Sequence, residues 1–140
     1  MSASLSPADR RDALGLLARA PAARLAELLP DLPAHETLRA PEIGTVMVQG
    51  RAGGTGAAFN LGEITVTRAS VRLASGQVGH GYVQGRDKGH ALRAALIDAA
   101  GRPDIIATLR AEENARRARI AAEAAATRVE FFTLARGEDE

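Results

Sequence analysis

The sequence predicts an α+β fold, with N-terminal helices, an antiparallel sheet of three to four strands and C-terminal helices packed on one face. Three observations indicate this order. A helix-start signal stands near the N-terminus, strand-like runs follow around a short turn in the middle of the chain, and a long segment rich in Ala, Glu and Arg comes after them. Helices that precede and follow a sheet, rather than alternating with its strands, are typical of the α+β class.

Length and composition limit the kinds of protein this can be. The chain has 140 residues, which predicts a single domain over residues 1–140. Aromatic residues make up only 3% and many apolar residues are Ala, so we expect a partner to supply part of the stability. The absence of Cys excludes disulfides and a cysteine-ligated iron–sulfur cluster. A net charge of +1 does not indicate binding to nucleic acid or to a membrane.

The N-terminal part is predicted to contain two helices and then a loop. Ser6 is expected to cap the first helix, with Pro7 at its first position. A second, short helix begins at Pro21 and is ended by two later prolines. Residues 31–39 are predicted to be a loop that Pro41 closes. Neither a secretion signal nor an apolar run of about 18 residues is present, which predicts a cytoplasmic protein without a membrane segment.

Three strands are predicted in the middle of the chain, over residues 43–49, 61–73 and 77–84, with a short glycine-containing turn between the last two. The second strand changes phase, because its apolar residues before position 67 point to one face and those after position 68 to the other. The sequence therefore predicts a β-bulge near Thr67 and Arg68, which would also re-aim the Arg68 side chain.

Two helices are predicted after the sheet. Asp87 caps the first, over residues 88–100, and Gly101 ends it. The second covers residues 104–128 and has a thin apolar stripe, so it is either solvated or docked on another chain. Residues 129–134 form an apolar run that is either a fourth strand or a docking peptide.

The glycine-rich stretch at residues 50–56 is one candidate for binding chemistry. Gly53 and Gly54 allow positive φ, which lets backbone N–H groups surround an anion, and Arg51 adds a cation. The stretch is neither a P-loop nor a dinucleotide-binding fingerprint, since a strand follows it. A mobile connection between two strands is the alternative explanation of the glycines, and Asn60 could cap that loop.

The start of the helix after the third strand is a second candidate. Arg86 and Lys88 would add to the N–H groups and dipole that favour an anion at a helix N-terminus, where a phosphate or phosphonate would fit. The alternative is a solvated helix start at which Asp87 acts only as the cap. His90 is the better candidate for an acid, base or anion contact, whereas His80 is expected to be a packed, hydrogen-bonded core histidine.

Two further groups complete the candidates. Glu63, Thr67 and Arg68 would line a polar interface, or else form the solvated face of an antiparallel strand. Near the C-terminus, Arg128 and the Phe pair at residues 131–132 either anchor a partner or close this domain's own core. No catalytic residue and no metal site is assigned. The candidates for contact with substrate or partner are Arg51, Gly53, Gly54, Asn60, Glu63, Thr67, Arg68, Arg86, Asp87, Lys88, His90 and Arg128.

Three blocks of the sequence resemble a known family. Residues 41–73 form the first and include the stretch Gly-Arg-Ala-Gly-Gly-Thr-Gly. Residues 79–90, ending Gly-Arg-Asp-Lys-Gly-His, form the second, and residues 127–137, Thr-Arg-Val-Glu-Phe-Phe-Thr-Leu-Ala-Arg-Gly, form the third. In content and order they resemble the PhnG family, the G subunit of the bacterial carbon–phosphorus lyase core complex, described as an α-D-ribose 1-methylphosphonate 5-triphosphate synthase subunit.

The resemblance implies a cytoplasmic role in phosphonate catabolism. In that system the I subunit, helped by the G, H and L proteins, displaces adenine from ATP with an alkylphosphonate, and a separate J subunit cleaves the carbon–phosphorus bond by iron–sulfur radical chemistry. The expected partners are therefore the H, I, J and L proteins. This chain is expected to hold no cofactor, ATP being a substrate of the complex, and to be an accessory subunit that is not catalytic alone.

Two other functions remain open from the residues themselves. One is a stand-alone anion- or nucleotide-binding enzyme that uses His90 as its acid or base. The other is nucleic-acid binding through the basic clusters, which the lack of an aromatic platform and the near-zero net charge disfavour. The isolated chain is also expected to form a homodimer or exchange strands, because its apolar stripes exceed what one small core covers.

Overall fold

A computed structural model describes residues 5–54 and 56–137, apart from the side chains of Phe132 and of residues 134–137. The described residues form four helices and three strands, which confirms the α+β prediction. In chain order the elements are α1 (Pro7–Arg19), α2 (Ala22–Leu28), β1 (His35–Arg51), a 3-10 turn (Ala52–Gly54), β2 (Ala58–Leu73), β3 (Val78–Gln84), α3 (Lys88–Ala100) and α4 (Pro103–Gly137). The chain divides into two compact units, residues 1–106 and 107–140.

The helix ends follow the capping residues that the sequence predicts. The Ser6 Oγ accepts a hydrogen bond from the Asp9 N–H at 3.1 Å, and the Asp87 carboxylate accepts one from the His90 N–H at 3.0 Å. Gly101 ends α3 in the left-handed region, with φ 62°. These contacts satisfy backbone groups that have no partner inside the helix.

The sheet has the strand order β1-β2-β3, and both pairs are antiparallel. α3 lies on one face, where Thr67, Ala69 and Val71 of β2 are buried. On β3 the same face carries Gly79 and Gly81, and a Cβ at either glycine would collide with the α3 backbone. The two glycines therefore let helix and strand approach more closely than larger residues would permit.

β1 is much longer than the sequence predicts, because it begins at His35 rather than at residue 43. The prediction of a loop over residues 31–39 is wrong from His35 onward. Pro41 lies within a register shift between Arg39 and Glu42, so the strand passes through it without requiring an N–H from proline. β2 is longer too, starting at Ala58.

The predicted β-bulge at Thr67–Arg68 is wrong in its position. The β2–β3 register runs without a shift from Val66 to Arg72. The nearest irregularity is the shift on β1 between Arg39 and Glu42, opposite Ser70 and Arg68. β2 keeps a regular pleat through this point, with Val66 buried on one face and Thr67 buried on the other.

A two-stranded ribbon extends beyond the three-stranded part of the sheet. It consists of residues 45–51 of β1 and 58–65 of β2, since β3 pairs with β2 only as far as Val66. Most ribbon residues are exposed, including the large apolar side chains of Val46, Met47, Phe59 and Leu61. An isolated two-stranded hairpin is only marginally stable in water, so this ribbon is a surface that a further strand or partner would stabilise.

Arg10 and Asp98 join three elements of the first unit. The Arg10 guanidinium donates to both carboxylate oxygens of Asp98, at 3.1 and 2.8 Å. Asp98 also accepts from the His80 backbone N–H at 2.8 Å, and Arg10 reaches the Val78 carbonyl at 3.5 Å. The hydrogen bond to Asp98 raises the pKa of Arg10. α1, α3 and β3 are thus held by one charged cluster.

α4 is a continuous helix over Pro103–Gly137, so the prediction of a fourth strand at residues 129–134 is wrong. The Ala-, Glu- and Arg-rich segment before it has no breaker, and helix propagates readily through such a sequence. Ile120, Val129 and Phe131 are exposed on it. The side chain of Phe132, the other member of the predicted Phe pair, lies outside the described residues. No helix in the described part of the chain meets the length and apolarity needed to cross a bilayer.

Candidate functional site

The glycine-rich stretch forms the turn at the tip of the ribbon. Gly53 and Gly54 have φ of 65° and 83°, as the sequence predicts, and both face open space. Arg51 is exposed at the end of β1. The Gly56 N–H donates to the Ala52 carbonyl at 2.7 Å, so this N–H closes the turn and does not point at a ligand.

The start of α3 lies beside β2 where the ribbon leaves the sheet. The Gly85 N–H donates to the Thr65 carbonyl at 2.8 Å, and the Thr67 Oγ1 donates to the Gly85 carbonyl at 2.7 Å. Thr67 is fully buried, so its hydroxyl holds the helix start in place and is not presented to a substrate. Arg86 and Lys88 are exposed next to this junction, with Asp87 as the helix cap.

The two cationic candidates do not form one site. From Thr65 to Ala58 the ribbon spans eight residues, a length of roughly 23 Å at the rise of a β-strand. Arg51 is at the far end of the ribbon and Arg86 at its base. Asn60 and Glu63 lie between them on β2, both exposed. Arg128 is an exposed residue of α4 in the second unit.

The two histidines have the opposite environments to those expected. His90 is only 7% exposed, and its Nε2–H donates to the Leu17 carbonyl at 2.8 Å. His80 is exposed on the uncovered sheet face, where its Nδ1 is 2.8 Å from the Ser70 Oγ. The prediction that His80 is a core histidine is therefore wrong, and His90 is the residue that packs. The hydrogen bond to Leu17 fixes the orientation of the ring and places a proton on Nε2.

We expect His90→Ala to destabilise the first unit by about 2 kcal/mol, because it leaves the buried Leu17 carbonyl without a donor. The measurement is the urea midpoint followed by circular dichroism. His80→Ala is the matched control and should change the midpoint little, since that ring is on the surface. Equal midpoints for the two variants would contradict the assignment of His90 as a structural residue.

The uncovered sheet face carries charged and aromatic side chains, of which only Arg68 is among the residues predicted from the sequence. Arg68 is 3.6 Å from Glu42, and Arg72 is 3.3 Å from Glu36, each pair joining β2 to β1. Tyr82 of β3 is 52% exposed beside them. The alternation of residues along β2 and β3 predicts this face once the register is known, but the register is a tertiary property.

An open cavity of about 650 Å³ lies against the edge of β3. Its walls come from the end of α1, the beginning of α2, two residues of β3 and the ring of His90, and they are mostly small or apolar. The lining residues are Gly15, Ala18, Arg19, Ala20, Ala22, Tyr82, Gln84 and His90. Among the described residues no group of three or more His, Cys, Asp or Glu side chains is close enough to hold a metal ion.

Fold and surface together define a class of protein: a small α+β domain with exposed apolar side chains on its ribbon and exposed charged side chains on its open sheet face. A contiguous patch of exposed apolar side chains, such as that on the ribbon, is typical of an interaction surface.

Comparison with known proteins then gives the family. A family model described as "Phosphonate metabolism protein PhnG" matches residues 8–137. A curated protein of Rhizobium meliloti (strain 1021), "Alpha-D-ribose 1-methylphosphonate 5-triphosphate synthase subunit PhnG", is 47% identical over 147 aligned positions, which cover 94% of this chain and 92% of the relative. The chain belongs to the PhnG family, as its three sequence blocks predict.

Proposed function

We propose that this chain is the G-type subunit of an assembly that makes α-D-ribose 1-alkylphosphonate 5-triphosphate from ATP and an alkylphosphonate. The observation that carries the proposal is the 47% identity to a synthase subunit over nearly the full length of both chains. That relative is described as a subunit of a synthase, and we assign the same position to this chain. We also propose a cytoplasmic location, which the use of ATP as a substrate supports.

An accessory role agrees with the surfaces of the molecule. The reaction requires the phosphonate oxygen to attack the ribose carbon that bears adenine, so a catalytic subunit must hold both substrates within bonding distance. In this chain His90 is buried and its Nε2–H donates to the Leu17 carbonyl, a structural contact that accounts for this residue without an acid–base role. The exposed Arg51 and Arg86 lie at opposite ends of the ribbon and do not converge on one phosphate chain.

We therefore assign the main catalytic groups of the assembly to another subunit, the I protein, with the H and L proteins as further partners and the J protein acting in the next step. ATP is the substrate of the complex, and this chain holds no cofactor in the proposal. Arg51, Arg68, Arg86 and Lys88 contact either the nucleotide triphosphate at a shared interface or the partner protein itself. Their exposure leaves them accessible for either contact.

The proposal is tested by purifying the chain alone and co-expressed with the H, I and L proteins. Each preparation receives ATP and methylphosphonate, and adenine release is followed by chromatography with the phosphonate ester followed by ³¹P nuclear magnetic resonance. We expect no turnover by the isolated chain, turnover by the full set, and loss of turnover when this chain alone is omitted. Adenine release by the isolated chain, or an unchanged rate on its omission, would overturn the accessory role.

A further inference from the structure

The backbone of β1 presents unpaired hydrogen-bonding groups along its outer edge. On β2, the Gly85 N–H bonds to Thr65 and the Leu73 N–H bonds to Gln77, so the odd-numbered residues of this stretch pair with β3. In an antiparallel sheet successive residues bond to opposite sides, so the even-numbered residues of β2 pair with β1. Between Glu42 and Val48, where the β1–β2 register has no shift, their register partners on β1 are even-numbered as well.

It follows that the N–H and C=O groups of Ile43, Thr45 and Met47 point away from β2. β1 is an edge strand in the described part of the sheet, so no strand there receives these groups. Unpaired edges of this kind are templates for the addition of another strand.

The other edges of the sheet carry features that block strand addition. At β3, Asp98 accepts from the His80 N–H and Arg10 donates to the Val78 carbonyl, so side chains cover the backbone. In the ribbon part of β2, the register with β1 shifts between Gly62, which pairs with Val48, and Asn60, which pairs with Gln49. Glu63 adds a charge to the same edge. Bulges and charges are the usual means of protecting an edge.

The edge of β1 carries no charge between Glu42 and Arg51, and its register is regular from Glu42 to Val48. The intervening residues, Ile-Gly-Thr-Val-Met-Val-Gln-Gly, contain no charge and no proline. Three of their side chains are large, apolar and exposed: Ile43 at 42%, Val46 at 39% and Met47 at 50%. This edge also belongs in large part to the marginally stable ribbon, which a further strand would stabilise.

We propose that β1 pairs with β1 of a second copy of this chain, antiparallel, about a twofold axis at Thr45. In this register Thr45 faces Thr45 of the second copy, and Ile43 faces Met47 in both directions. On the other sheet face Gly44 lies opposite Val46, so the large side chain meets the small one. From Glu42 to Val48 of each copy no like charges oppose each other, and the three outward residues of each copy form about six interchain hydrogen bonds. Pairing is confined to this part of β1, because further out the same register would bring Arg39 opposite Arg51.

The first test uses the absence of cysteine from the chain, which makes any disulfide of a single-cysteine variant intermolecular. In the proposed register the two Thr45 Cα atoms are about 5.5 Å apart, within the range of a disulfide. Thr45→Cys of the full chain should form a covalent dimer under mild oxidation. Glu63→Cys, also at an exposed position but on the opposite strand of the ribbon, should remain mostly monomeric under the same conditions.

The second test measures the mass in solution by sedimentation equilibrium. The unmodified chain should have twice the chain mass, and Thr45→Pro should shift it towards the monomer, because proline removes an outward N–H without removing a β1–β2 hydrogen bond. Thr45→Val keeps the N–H and should remain dimeric. A monomeric unmodified chain, a dimer insensitive to Thr45→Pro, or cross-linking at residue 63 as efficient as at residue 45 would each overturn the proposal. The proposal would also be overturned if the chain were monomeric and its β1 paired only with a strand of a different subunit.

Discussion

Gly79→Ala is expected to destabilise the first unit by about 3 kcal/mol, a large fraction of the stability of a domain this size. The added Cβ would collide with the backbone carbonyl of Ala95 and the backbone N of Ala99, both on α3. Backbone atoms of a helix cannot rotate away as a side chain does, so α3 must move off the sheet. The face of β2 beneath it would then lose its close packing.

The measurement is the free energy of unfolding from urea titration, followed by circular dichroism. Gly44→Ala is the matched control, since no atom lies within 4 Å of a Cβ at that position and its φ is not in the left-handed region. The control should not lower the free energy of unfolding, because the added Cβ meets no atom in the folded chain. Ala also restricts the unfolded chain, which favours folding slightly. If the two variants unfold at the same urea concentration, the close approach of α3 to β3 is not what makes Gly79 necessary.

Asp98→Ala is the second substitution with a large expected effect, about 2 to 3 kcal/mol of destabilisation. Its carboxylate is 4% exposed and bonds to Arg10 and to the His80 N–H, so its removal leaves a donor on the edge of β3 and a guanidinium without their acceptor. The loss should exceed that of a surface ion pair because three elements are joined at this one side chain.

Asp104→Ala provides the comparison for Asp98→Ala. Asp104 also has an arginine partner, Arg102 at 2.7 Å, and the hydrogen bond from that arginine lowers the pKa of Asp104 to about 2. The pair is local and on the surface, so solvent screens it and its removal should shift the thermal midpoint little. A larger shift for Asp104→Ala than for Asp98→Ala would contradict the assignment of the Arg10–Asp98 cluster as a link between elements.

The helix boundaries could be predicted from the sequence because they depend on neighbouring residues. Each of these boundaries depends on a contact within a few positions. Ser6 and Asp87 accept hydrogen bonds from N–H groups in the first turns of their helices, and Gly101 ends α3. The hairpin turn after β2 is local for the same reason, with Gly76 at φ 95°. The glycines at the tip of the ribbon likewise adopt the positive φ that their type permits.

The environments of the two histidines could not be predicted in the same way. Alternation along β3 places His80 on one face, but which face α3 covers is decided by Gly79 and Gly81, which admit the helix. His90 was placed correctly on α3, but its hydrogen bond to Leu17 joins residues 73 positions apart. No local signal reports a contact at that separation, and the same holds for Arg10 and Asp98.

The sequence by itself determined the α+β class, the capped helices, the hairpin and, through its three blocks, the family. Each of these depends on short-range chemistry or on residues preserved in order. The tertiary structure alone decided that Arg51 and Arg86 stand at opposite ends of a ribbon, that Thr67 and His90 are buried, and that β1 leaves an open edge. These depend on strand register and on which face a helix covers, which distant residues set together.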